Sequence, residues 1–267
     1  MMERLKQKRL FLFDIDGTLS LGDTLFDGSR ELIEYIASIG GKAVYITNNS
    51  TKSVDAYIEK FARWGLTTDA SNFITASFIT VDWLQKHFPK EKIFAVGTRS
   101  FVKELRKAGL TVTETPDDDV KCVLVGFDSE LTYEKLTNAC KLLQTKPELT
   151  FAATNPDLVC PIDYGFIPDC GSICQMIVNA VKREPIYLGK PNPAMVEYSL
   201  HTTGFSPEQT LVVGDRLYTD IACGIAAKVD TCLVYTGEAK EADLADTEFM
   251  PTFVFENVRK LLEAVKE

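Results

Sequence analysis

No apolar stretch of the 267-residue chain approaches the ~20 residues that a membrane-spanning helix needs, so a globular protein without a membrane segment is expected. Histidine is scarce. His87 and His201 are the only two, and neither stands at zinc-like spacing from Cys160, Cys170 or Cys174. The seven cysteines are odd in number and contain no Cys-x-x-Cys pair, which fits reduced thiols better than a disulfide framework. An excess of basic charge is also missing. With 29 Lys and Arg against 38 Asp and Glu the net charge is −9, whereas binding to a nucleic-acid backbone needs clustered cations. No segment repeats or is of low complexity. The basic start, Arg4 to Arg9, leads into only four apolar residues before Asp14, too few for the core of a signal peptide, so the expected location is the cytoplasm.

What is present is a 45% hydrophobic composition, enough for one large or two modest domains, of which two are expected. The most informative stretch is the apolar run Phe11, Leu12, Phe13, which breaks into Asp14, Ile15, Asp16, Gly17, Thr18, Leu19. Strands buried on both faces read as continuous apolar runs, and in open parallel sheets ligands bind beyond their carboxyl ends. Strand alternation would send Asp14 and Asp16 the same way, and a divalent cation would relieve the repulsion between them. Hard oxygen ligands suit Mg2+, which takes one or two carboxylates together with substrate phosphate. The plainer alternative is a polar turn after a buried strand. An EF-hand loop does not fit, since its glycine and glutamate positions hold Leu19 and Leu25.

Three later stretches share this strand-end character. Ala43, Val44, Tyr45, Ile46 run into Thr47, Asn48, Asn49 and Ser50; Gly189, Lys190, Pro191 follow much later; and Leu211, Val212, Val213, Gly214 lead to Asp215, Arg216, Leu217, Tyr218, Thr219, Asp220. Taken singly, these read as a polar turn, a solvated loop lysine and a helix N-cap with a second acid one turn on. Gly189-Lys190 is not a P-loop, because the earlier glycine and the following Ser or Thr are absent. Together, in this order, the four stretches resemble the signatures of the haloacid dehalogenase superfamily, whose phosphatases carry Asp-x-Asp-Gly-Thr/Val.

Spacing organises the rest. About thirty residues separate the first two stretches, roughly one strand-helix-strand crossover, whereas Thr47 and Lys190 lie 143 positions apart. Extra structure must be inserted there. Residues 93–96, 110–113, 121–126 and 149–153 read as strands, with 101–108 and 133–143 as helices between them. Around Tyr57, Ile58, Phe61, Trp64 and around Val81, Trp83, Leu84 two helices are expected to belong to the main domain. After the insert, β and α alternate again, which implies a parallel sheet covered on both faces. The expected architecture is an α/β Rossmann-like parallel sheet core, residues 1–88 and 185–267, with an inserted smaller α/β cap at 89–184.

Such a cap between the second and third signatures is the arrangement of the 4-nitrophenylphosphatase-like branch. The chain is similar to that branch over nearly its full length, including Thr47 to Ser53, Ala153-Thr154-Asn155-Pro156-Asp157 and Asp215 to Ile221. One departure is Lys228, where related chains often have glycine, and it should affect the end of a helix rather than chemistry. The resemblance implies an Mg2+-dependent phosphatase acting on a small-molecule phosphate ester. Asp14 would be the nucleophile and Asp16 the general acid and base. Mg2+ would be held by the Asp14 carboxylate, the Asp16 carbonyl and Asp215, with Asp220 behind them. Thr47, Asn48, Asn49 and Lys190 would hold phosphate. The selecting residues would lie on the cap, with the loop Thr154 to Pro161 and Tyr164 as its lid surface and Asn155 and Cys160 facing the leaving group. Neither nucleic acid nor membrane is an expected partner, and pairing of copies through the cap is left open. A phosphotransferase using the same acids, or a non-catalytic protein holding a phosphorylated ligand, are the alternatives.

Overall fold

The computed structural model describes residues 2–49, 53–162 and 164–267. Ser50, Thr51 and Lys52, part of the second stretch, lie outside the described residues. The chain divides into two compact units, one formed by residues 1–47, 52–74 and 190–267, the other by 75–189 with 48–51.

The larger unit is built on a six-stranded sheet ordered Phe253–Phe255, Asp230–Val234, Thr210–Gly214, Leu10–Phe13, Lys42–Thr47, Phe73–Thr75. Leu10–Phe13 lies at its centre, parallel to Thr210–Gly214 and to Lys42–Thr47, with Phe13 opposite both Val213 and Tyr45. Every residue of this strand is buried, so both faces are covered. Phe11 and Phe13 pack with Tyr45, Phe61 and Phe73 in one core cluster, and the helices Ser29–Ser38 and Val258–Lys266 add Leu32, Ile36, Leu261 and Leu262 to it. This is the Rossmann-like α/β core expected from the sequence. Because the register is in step, Asp14, the chain after Thr47 and Asp215 all emerge at one edge of the sheet.

The smaller unit carries a five-stranded parallel sheet ordered Ile186–Tyr187, Thr150–Ala153, Val120–Val125, Lys92–Val96, Thr111–Thr113. Helices Arg99–Lys107 and Tyr133–Thr145 fall where the sequence places them, and an antiparallel hairpin, Val159–Ile162 with Gly165–Pro168, precedes a further helix, Cys170–Val181.

The limits of this unit differ from 89–184. Helix Ala76–His87, expected in the main domain, puts Leu84 into a cluster with Ile93, Phe101 and Leu105, so it packs with the smaller unit. At the other end Ile186–Tyr187 pairs with Thr150–Ala153, which carries the unit on to Gly189. Lys228 follows helix Ala222–Ala226 with φ 58°, a left-handed conformation that glycine adopts at least steric cost. Among the described residues no helix is long and apolar enough to cross a membrane.

Candidate active site

The carboxyl edge of the larger sheet gathers acids around one lysine. Asp14 follows the central strand directly, its backbone N–H bonded to the Val213 carbonyl at 2.9 Å. Asp215 leaves the neighbouring strand, and Asp220 returns through the wide helical turn Leu217–Ile221, in which the N–H groups of Asp220 and Ile221 both bond the Arg216 carbonyl. That return needs Gly214, since a Cβ there would lie 2.2 Å from the Asp220 Cβ. Oxygens of Asp14, Asp215 and Asp220 all fall within 4.8 Å of one another.

Lys190 enters this group and is 2% exposed. Its Nζ donates to Asp14 Oδ1 at 2.6 Å, Asp220 Oδ1 at 2.7 Å and the Ile46 carbonyl at 3.0 Å. Asp220 is engaged at both oxygens, because Oδ2 accepts from the Arg216 N–H at 3.1 Å. Asp215 accepts from Thr18 Oγ1 at 3.2 Å and from the Glu238 N–H at 2.8 Å. Gly237 makes room for this carboxylate, since a Cβ there would meet Asp215 Oδ2 at 2.0 Å.

Burial holds the Asp14 carboxyl well above the usual carboxylate range; Lys190 opposes the rise, and Asp220 and Asp215 add to it. Burial, aided by Asp220, also pushes Asp215 up to about 6. For Lys190 burial acts downward, but the Asp14 and Asp220 carboxylates outweigh it and keep the ammonium charged. Two buried carboxyl groups, Asp215 and Asp220, and the half-buried Asp14 thus face one buried cation among the described residues, an arrangement that a hard divalent ion fits, and the donors are the oxygens that Mg2+ prefers.

Asp16 is placed differently. Its side chain is not in the three-acid cluster; Oδ1 bonds Lys60 Nζ at 3.2 Å. Thr47 ends its strand buried, one residue beyond the Ile46 carbonyl that Lys190 holds, and Asn49 follows half-buried. Asn48 commits its side-chain amide to Asp157 Oδ2 at 2.7 Å, and Asn155 bonds the same oxygen at 2.7 Å. Asn155 is fully buried and also accepts from Thr154 Oγ1 at 2.8 Å, so its side chain is internal to the smaller unit rather than on an open lid surface. Cys160 stands on the hairpin opposite Ile167, half-buried.

Residues in these networks without a role expected from the sequence include Lys60, Asp157 and Gly237. Lys60 had a legible signal, a charged residue on the stripe Tyr57, Lys60, Phe61, Trp64 that otherwise reads as core. Asp157 had only its place in Asn-Pro-Asp, and Gly237 had none.

A family model described as haloacid dehalogenase-like hydrolase matches residues 11–111, and a HAD-hydrolase-like model matches 187–261. The chain is 30% identical over 263 residues to the acid sugar phosphatase of Staphylococcus aureus (strain MRSA252), covering 98% of this chain and 100% of that protein. Among solved structures, 4-nitrophenylphosphatase from Thermotoga maritima matches with a TM-score of 0.90 at 36% identity, over 98% of this chain and 99% of the other. NagD from E. coli K-12 matches with a TM-score of 0.84 at 30% identity, over 95% and 98%.

Proposed function

Since the chain belongs to the haloacid dehalogenase-like hydrolases, in the branch of 4-nitrophenylphosphatase and NagD, and is by that kinship a phosphatase enzyme, we propose that it hydrolyses small phosphate monoesters with Mg2+ through a phosphorylated Asp14. The observation that carries this reading is the Lys190 ammonium set between Asp14 and Asp220 within the three-carboxylate cluster.

Phosphate monoesters hydrolyse very slowly in water, so a catalyst must supply a nucleophile, charge neutralisation and a proton for the leaving group. An Asp14 carboxylate oxygen attacks phosphorus, and the bond from phosphorus to the ester oxygen breaks. Asp16 gives its proton to that departing oxygen, a contribution of typically ~10²–10⁴-fold. A water molecule then attacks phosphorus and returns a proton to Asp16, releasing phosphate and restoring the Asp14 carboxylate.

Lys190 opposes the effect of burial on the nucleophilic carboxyl, holds it in place, and offers its remaining charge to phosphate oxygens. Thr47, at the end of its strand, is proposed to complete the phosphate grip. Mg2+, held by the carboxylates of Asp14 and Asp215 and by the Asp16 carbonyl, would neutralise charge on the transferring phosphoryl group. Asp220, occupied at both oxygens, acts behind these by fixing Lys190. The division of labour between the two neighbouring acids follows from their partners. Asp14 shares the three-acid cluster with Lys190, while the Asp16 side chain stands apart from it on Lys60.

The smaller unit is proposed to be the inserted cap that selects the ester. Sugar phosphates and nucleotides are the leading substrate classes, the former because relatives are named acid sugar phosphatases. The net charge of −9 favours a small ester over a nucleic-acid chain, and a cytoplasmic location agrees with an odd number of cysteines that lack a Cys-x-x-Cys pair. A panel of sugar phosphates, nucleotides and aryl phosphates assayed with Mg2+ tests the reading. Turnover of aryl phosphate with a preferred natural ester is expected, whereas tight binding of esters with no phosphate release at all would leave a non-catalytic binding protein.

A further inference from the structure

Helix Val54–Arg63 presents Tyr57, Lys60 and Phe61 to the interior, with Trp64 at its end. Lys60 is 2% exposed. Burying an ammonium carries a desolvation penalty, which a methionine of similar volume would avoid. A side chain needed only to fill this position would therefore be apolar. The Lys60 Nζ lies 3.2 Å from Asp16 Oδ1 and 3.5 Å from Ser20 Oγ, and 4.9 Å above the Trp64 ring. Asp16 and Ser20 are the two ends of a tight loop closed by the Gly17 N–H on the Ser20 carbonyl at 2.7 Å. Further along, Trp64 Nε1 donates to the Asp23 carbonyl at 2.8 Å. One helix thus grips the segment that bears Asp16 at three points.

We propose that Lys60 is a positioning residue for Asp16, holding one carboxylate oxygen so that the other is fixed for proton transfer to the leaving group. This rests on the proposed role of Asp16 as general acid. Lys60 itself donates no proton in the reaction; it fixes a rotamer and the loop beneath it. Loss of the grip lets the Asp16 side chain, whose surface is 23% exposed, turn toward solvent. The penalty should then scale with how much the leaving group needs a proton. 4-Nitrophenolate departs without one, whereas a more basic phenolate does not.

The test compares kcat/KM, which reports steps through phosphoryl transfer, for 4-nitrophenyl and 4-methylphenyl phosphate, esters of like shape. Wild type, Lys60→Met and Lys60→Arg are measured with Mg2+, with melting curves to confirm folding. Lys60→Met should lose ~10-fold or more on the 4-methylphenyl ester beyond its loss on the 4-nitrophenyl ester, as expected when general acid help is withdrawn. Lys60→Arg, which keeps a cation at the site, should restore most of the difference. If the methionine variant fails to fold, Lys60→Gln carries the same comparison. Equal losses on both esters, or no loss on either, would overturn the role of Lys60 while leaving the phosphatase reading intact. No turnover of either ester by wild type would sink that reading and this inference together.

Discussion

Lys190 Nζ lies 2.6 Å from Asp14 Oδ1, an ion pair of a buried lysine and a half-buried carboxylate that joins two segments 176 positions apart in sequence. The same nitrogen reaches Asp220 at 2.7 Å, so a single ammonium ties the end of the central strand to the turn after its neighbour. Removing one partner of a buried pair leaves uncompensated charge, at a cost of about 3–5 kcal/mol. Lys190→Met should lower stability in EDTA by that order in urea titrations, and should reduce kcat by ~10²-fold or more through lost charge stabilisation. A methionine variant as stable and as active as wild type would contradict both statements.

The acid cluster makes a separate prediction about metal. If Mg2+ sits among Asp14, Asp215 and Asp220, it binds the folded protein only and must raise the melting temperature. At a hundred times the dissociation constant the stabilisation amounts to ~2.7 kcal/mol. EDTA should abolish turnover and Mg2+ restore it, while Asp215→Asn should remove the thermal shift. Full activity in chelator would exclude the metal.

Asn155 and Cys160 should behave unlike each other. The Asn155 amide is buried on Asp157, a hydrogen bond to a carboxylate worth about 1.5–3 kcal/mol. Asn155→Ala should therefore lower the stability of the protein by that order. Cys160 is half-buried on its hairpin, and Cys160→Tyr should cost less stability than Asn155→Ala. Denaturant titration of both variants decides this. A stable Asn155→Ala protein with altered ester preference would return Asn155 to the substrate-facing surface expected from sequence.

Asp14 was legible because a strand buried on both faces is continuously apolar, so its end is marked by the first acid. Lys190 carried no such local mark and stood out only through the order of the four motifs, whereas Asp220 was marked by its place one helical turn after Asp215. Lys60 left a visible signal, a charge on a core stripe, whose meaning was not legible for a physical reason. Periodicity identifies which face of a helix is buried, and it counts a lysine on that face as an imperfection rather than as the residue with a distinct task. The same limit explains helix Ala76–His87, whose pattern shows that a face is covered without showing which unit covers it. Gly237 was illegible because its role is to have no Cβ beside Asp215, a contact between positions 22 apart that only the folded chain creates.

The central claim is that Asp14 is the group that attacks phosphorus, and kcat of Asp14→Asn on 4-nitrophenyl phosphate with Mg2+ tests it most directly. The variant keeps the shape of the side chain and removes the charge, so it should fold as wild type does. Loss of a covalent nucleophile predicts a fall in kcat of ~10³-fold or more. A folded Asp14→Asn protein that turns over within ~10-fold of wild type would contradict the account, because less than about 1.4 kcal/mol of transition-state stabilisation would then depend on that carboxylate.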